Sequence, residues 1–110
     1  KKALLAAENK CKLCGVSDEA FLIASHIKPW SVSNHFERLD ANNGLLLCPN
    51  HDRLFDKGFI SFLENGQIVV SNCLDDNTRQ FMNVQETMRI KLTDEQKVYM
   101  QWHIENIFKQ

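Results

Sequence analysis

Asn43-Gly44-Leu45-Leu46-Leu47-Cys48-Pro49-Asn50-His51-Asp52 is the stretch whose reading decides the fold. Asn42-Asn43-Gly44 is a turn signal. Leu45 to Leu47 is an apolar run of strand rather than helix length and reads as a short buried strand. Pro49 suits the first turn of a helix, which runs to about Lys57, and Gly58 is a natural C-terminal stop. A strand therefore feeds straight into a helix, and Cys48 and His51 stand at the junction in C-x2-H spacing. Working back along the chain, Cys11-Lys12-Leu13-Cys14 is a C-x2-C pair. Two close pairs of soft or borderline donors are what a tetrahedral Zn²⁺ site needs, so Cys11, Cys14, Cys48 and His51 are read as a structural zinc set. A disulfide pairing of the cysteines is the rival reading; metal spacing and the lack of an extracellular signal weigh against it. Cys73 lies outside both pairs and reads as a buried or inert thiol.

The surrounding segments build a small α+β domain around that junction. Residues 2–9 are helix formers. Glu19 to Ile27 reads as a strand ending near His26, and Pro29 blocks its regular continuation. Ser31 to Asn43 is polar and reads as a long loop. Residues 59–63 and 67–71 flank Asn65-Gly66, a strong hairpin signal. Thr93-Asp94-Glu95-Gln96 looks like a capping box that opens a C-terminal helix through Phe108.

Composition bounds the function. At 110 residues, the chain is long enough for one modest core and short enough to benefit from a metal staple. Its 44% apolar and 25% charged residues are those of an ordinary globular domain, with no run long enough to span a membrane. A net charge of −1 argues against gripping nucleic acid by bulk charge alone and leaves that to a local patch or a partner domain. The length gives a single domain over residues 1–110, and first residues of Lys-Lys-Ala rather than Met lead to reading it as the C-terminal part of a larger protein. The cytoplasm is the natural compartment for thiolates kept reduced on zinc.

Several polar residues are left over after the zinc is satisfied. Asp52 and Asp56, at i and i+4, lie on one helix face and can hold a hard divalent cation. His26, at a strand end facing that helix, can act as a general base on water. Asn43 carries both donors and an acceptor, so it can orient the base or pin the loop. Together such groups can hydrolyse a phosphodiester. Lys28 and Arg53 are the cations placed to meet a phosphate, with Arg38 and Lys57 as further candidates. His35 and His103 read as surface or packing residues, and Trp30 as a core anchor beside the base in preference to a nucleotide-stacking platform.

Ala24-Ser25-His26-Ile27-Lys28-Pro29-Trp30, the Asn43 to Asp52 stretch and Leu54-Phe55-Asp56-Lys57-Gly58 resemble the HNH endonuclease family, in the branch found in bacterial restriction-type nucleases. The likeness covers Lys10 to about Ser71, and the tail more loosely. It implies a ββα-metal core, here with a zinc knuckle, an added β-hairpin and a C-terminal helix. It also implies metal-dependent cutting of DNA in a restriction or defence system. His26 then matches the general base and Asn43 the central asparagine. Cys48 and His51 take zinc positions, Asp52 stands at the final histidine of the family name, and Asp56 falls one turn on. The catalytic ion would be Mg²⁺ or Mn²⁺, with Ni²⁺ as an alternative. Ser25 sits where many members carry an Asp ligand. A second register makes His51 the catalytic ligand and requires Cys73 on zinc. The partners implied are DNA, a separate recognition domain or subunit and, in some arrangements, a second copy. The rival functions are a non-catalytic zinc module that binds nucleic acid or protein, and a purely structural zinc domain.

Overall fold

The computed structural model describes the backbone of residues 1–110 and all side chains except those of residues 6 and 7. In chain order the elements are helix α1 (Lys2–Ala7), strand β1 (Ile23–His26), helix α2 (His35–Leu39), strand β2 (Gly44–Leu47), helix α3 (Pro49–Asp56), strands β3 (Ile60–Phe62) and β4 (Ile68–Val70), helix α4 (Asp76–Phe81) and helix α5 (Asp94–Asn106). β1 and β2 pair antiparallel, with Ile23 opposite Leu47 and His26 opposite Gly44. Cys48 ends β2 and caps α3, with Pro49 in its first turn as read from the sequence. α3 folds back on the two strands and completes a ββα unit.

That unit forms because Leu45, Leu46 and Leu47 are buried on both faces of the strand pair, while α3 contributes Leu54 and Phe55. Burying side chains of this size stabilises by roughly 1.5–3 kcal/mol each. β3 and β4 form a second antiparallel pair joined through Asn65-Gly66, as the hairpin signal predicts. α5 docks on β3 through Met100 and His103, both buried. Gly58 ends α3 with φ of +79°, and a Cβ there would sit 2.1 Å from the Ile107 carbonyl oxygen. Only glycine allows the chain to turn there and lie against the end of α5, whose exit is tied by Lys109 N–H donating to the Gly58 carbonyl at 2.8 Å.

Three segments differ from the sequence reading. Residues 19–21 are a 3-10 turn capped by Asp18, so the strand starts at Ile23 rather than Glu19. The predicted long loop at 31–43 holds a 3-10 turn and α2. Asn34 and Glu37 form a capping box there, which stabilises five residues of helix inside a polar stretch. α4, which the sequence left unassigned, is capped by Asp75, whose side chain accepts from Thr78 N–H.

Candidate active site and metal centre

The two ends of the β1–β2 pair carry different chemistry. At the Ile23–Leu47 end, the ligand atoms of Cys11, Cys14, Cys48 and His51 all lie within 4.8 Å of one another. Cys14 Sγ is 3.8 Å from Cys48 Sγ, and His51 Nδ1 is 3.4 Å from Cys48 Sγ and 3.7 Å from Cys11 Sγ. With Zn–S near 2.3 Å, a tetrahedron has S···S edges of ~3.8 Å, so the spacing suits zinc. All four cysteines of the chain are free thiols, which removes the disulfide reading. Cys73 is exposed and stands outside the group, so of the buried or inert thiol read from the sequence the burial does not hold.

The donors' own chemistry also fits a cation. Burial pushes the Cys14 and Cys48 thiols up, Cys14 to about 12, and the negative charge of neighbouring cysteines adds a smaller push in the same direction. At Cys11, burial also pushes upward, but hydrogen bonding from His51 and the local backbone outweighs it and brings the thiol to about 6. Four such groups are all in their ligating form only when a cation supplies the missing positive charge. Burial pushes His51 down, but Cys11 and then the carbonyls of Asn83 and Met82 outweigh it, so the net direction is up. His51 Nε2 donates to the Met82 and Asn83 carbonyl oxygens at 3.0 and 3.1 Å. The ring therefore presents Nδ1 to the cysteines, the usual division of labour for a metal histidine. These carbonyls lie just beyond α4 and have no signature in the sequence. With both ring nitrogens engaged in this corner, the second register has no support in the geometry.

At the Gly44 end stands His26, half-buried at the close of β1. Its Nε2 lies 3.3 Å from the Arg38 carbonyl oxygen at the end of α2. A groove of about 160 Å³ opens beside it, with Leu4, Ser25, Arg38, Asp40 and Gly44 in its walls. Asn43 is fully buried, and its amide pins the loop rather than touching the imidazole. Its Oδ1 accepts from Lys28 N–H at 2.7 Å, and its Nδ2 donates to the Lys28 and Glu37 carbonyls at 3.2 and 3.1 Å. It thus fixes the backbone two residues after His26 and one residue before the carbonyl that holds His26. α5 braces the same loop from outside: Tyr99 O–H donates to Asp40 at 2.8 Å, and Gln96 Nε2 to the Gly44 carbonyl at 3.3 Å. Burial and the Asp40 carboxylate push the Tyr99 hydroxyl up to about 12, so it remains a donor at all ordinary pH.

The other residues singled out from the sequence are placed unevenly. Asp52 is half-buried and Asp56 exposed on α3, and neither has a side-chain hydrogen bond or ion pair among the described residues. Neither lines the groove at His26. Among the described residues, the zinc set is the one group of three or more His, Cys, Asp or Glu side chains that can share an ion. Lys28 is tied to Glu37 at 2.9 and 3.0 Å, which neutralises it, whereas Arg53 is exposed and has no acidic partner among the described residues. A hydrogen bond from Asn34 N–H, then Lys28, holds Glu37 below the usual carboxylate range. Trp30 is not a core anchor: it is 54% exposed, with its ring close to perpendicular to that of His26. His35 is exposed and His103 buried, as read.

Residues 11–63 match the family model described as HNH endonuclease. The stretch spans the zinc set, His26, Asn43 and all of the ββα unit. Residues 11–63 belong to the HNH endonuclease family. The fold extends the likeness beyond this HNH segment: a structure of a modification-dependent TagI restriction endonuclease superposes with a TM-score of 0.61 at 19% identity, over 96% of this chain. The chain spans 37% of that protein's length. No curated protein sequence matches it. No helix is long and apolar enough to cross a membrane.

Proposed function

We propose that residues 1–110 are the single catalytic domain of a metal-dependent DNA endonuclease of the restriction or defence type, working in the cytoplasm beside a separate recognition domain or subunit. The observation that carries this reading is the contact of His26 Nε2 with the Arg38 carbonyl oxygen, from which the tautomer follows. A carbonyl oxygen only accepts, so the Arg38 carbonyl requires the proton on Nε2 and leaves Nδ1 with the lone pair. A neutral histidine oriented in this way, at the mouth of a groove, can take a proton from water as that water attacks a phosphodiester. Asn43 maintains that orientation by fixing the loop on either side. Asp52, with Asp56 one turn on, would hold Mg²⁺, Mn²⁺ or Ni²⁺. Such an ion, when bound, neutralises charge on the phosphate and leaving oxygen. The structural zinc is held by Cys11, Cys14, Cys48 and His51. Lys28 and Arg53 are the basic residues assigned to DNA, Arg53 the one with no acidic partner among the described residues.

The competing reading is a non-catalytic zinc module, and one observation favours it. Ser25 is buried next to the base and brings a hydroxyl where a carboxylate would help to hold an ion. Plasmid cleavage in metal-free buffer, Mg²⁺, Mn²⁺ and Ni²⁺ separates the two. The parent should cut with at least one ion, and His26→Ala should lose ~10²–10⁴-fold in rate with its zinc content unchanged. Asp52→Ala should be partly rescued by raising Mn²⁺, which should not rescue His26→Ala. A parent that fails to cut under every one of these ions overturns the nuclease reading in favour of the binding module.

A further inference from the structure

The excursion between β1 and β2 exposes apolar surface that folding does not use. Trp30, Val32, Phe36 and Leu39 are 54%, 53%, 72% and 70% exposed. Four large apolar side chains left in water along one short segment mark an interaction surface more often than chance. The segment is nonetheless rigidly built. Asn34 and Glu37 form a reciprocal capping box, Ser33 Oγ donates to the Lys28 and Pro29 carbonyls, and Asn43 closes the base of the loop. A pinned loop whose apolar side chains face outward is a preformed platform.

Charge identifies what the platform meets. Glu37 is neutralised by Lys28, and Asp40 is occupied by Tyr99 O–H and Asn42 N–H. Arg38 has no acidic partner among the described residues. Its guanidinium lies over the Trp30 ring, 4.7 Å from the centroid, and its Nε donates to the Trp30 carbonyl at 3.0 Å. The Trp30 and His26 rings are 5.8 Å apart. A cation and an exposed indole therefore stand together beside the base, and Arg38 supplies both the guanidinium and the carbonyl that orients His26. Resting on the nuclease reading above, we propose that Trp30 and Arg38 seat the nucleotide flanking the scissile phosphodiester. Its base stacks on Trp30 and its phosphate is met by Arg38. Any strand whose phosphate reaches His26 brings the neighbouring nucleotide to this pair, and an aromatic face accepts any base.

Titrating a labelled single-stranded DNA and its duplex into the chain, without a catalytic ion, tests this. In a Trp102→Phe background, DNA should quench Trp30 fluorescence. Trp30→Ala should weaken single-strand binding roughly 5- to 150-fold, as expected for a lost stacking partner, while Trp30→Phe keeps most of it. Arg38→Ala should lower the slope of log affinity against log salt by about one. Zinc content and circular dichroism should match the parent throughout. Equal DNA binding by parent and Trp30→Ala overturns the platform even if the parent cuts. A shift of Trp30→Ala or Phe36→Ala from dimer to monomer, with binding unchanged, reassigns the face to a second copy. Quenching and binding loss as predicted, in a parent that never cuts, keep the platform as a binding site and remove only the nuclease reading.

Discussion

The zinc corner and the base loop occupy opposite ends of one strand pair and are held by opposite means. At the Leu47 end, four side chains supply the donor atoms as two close pairs, Cys11 with Cys14 and Cys48 with His51, and main-chain carbonyls only turn the His51 ring. At the Gly44 end, His26 is oriented by a backbone carbonyl, and Asn43 acts on backbone groups. Tyr99 and Gln96 reach in from a helix far along the chain. A site made from side chains announces itself by residue type and spacing. A site made from main-chain groups does so only when the chain is folded.

That contrast predicts an asymmetry of failure. A structural zinc can carry ~10–16 kcal/mol of apparent binding energy, which exceeds the whole stability of most small domains. Stripping it with a strong chelator should therefore unfold both ends. Hydrogen exchange of residues 26–43 should rise along with that of residues 11–16, and elemental analysis of the starting protein should give one zinc per chain. Protected amides at 26–43 in the zinc-free chain would break the comparison.

Acid should reach the base end through α5. His103 is 1% exposed, stacks on Phe55 at 3.9 Å, donates to the Phe55 carbonyl at 2.9 Å and accepts from Ser61 at 2.8 Å. Burial lowers it to about 4 from an ordinary 6.5, against a smaller opposing pull from the Phe55 carbonyl and Asp56. Its folded value is depressed, so its contribution is whole above pH 6.5. It is lost as pH falls toward 4, where the unfolded chain takes up a proton that the folded chain refuses. The loss amounts to roughly 3 kcal/mol. Urea unfolding across pH 4–7 should show the parent losing this much relative to His103→Gln, which cannot titrate; zinc protonation cancels between the two. Parallel pH profiles would show that His103 does not couple α5 to acid.

The smallest effect tests the base end alone. Asn43→Ala takes the side-chain partner from the Lys28 N–H and the Glu37 carbonyl, while the Lys28 carbonyl keeps Ser33 Oγ, a cost of about 1–3 kcal/mol. Zinc should stay bound while exchange at Lys28 and Arg38 rises and cutting slows. Zinc loss in this variant would mean that the two ends are not separable.

How much of this was legible follows the same division. Cys11, Cys14, Cys48 and His51 were readable because metal ligation depends on donor type and spacing. The β2–α3 junction was readable because Leu45–Leu47, Pro49 and Gly58 each have one strong local preference. α2 escaped notice because its polar face looks like loop. The Asn34–Glu37 box was the available signal, and it was weaker than the Ser/Thr form found at Thr93. Trp30 was assigned inward because aromatic residues usually bury, a tendency that cannot say which face of a loop meets water.

The sequence by itself determined the donor set, the strand–helix junction, the β3–β4 hairpin and the capped C-terminal helix, because each depends on contacts among near neighbours. Only the tertiary structure decided that His26 is held through Nε2, that Asn43 pins backbone rather than base, that Met82 and Asn83 orient the metal histidine, and that Trp30 faces solvent beside Arg38. Those outcomes depend on carbonyls and amides that every residue carries alike. Their identity as partners exists only once distant segments have been packed together.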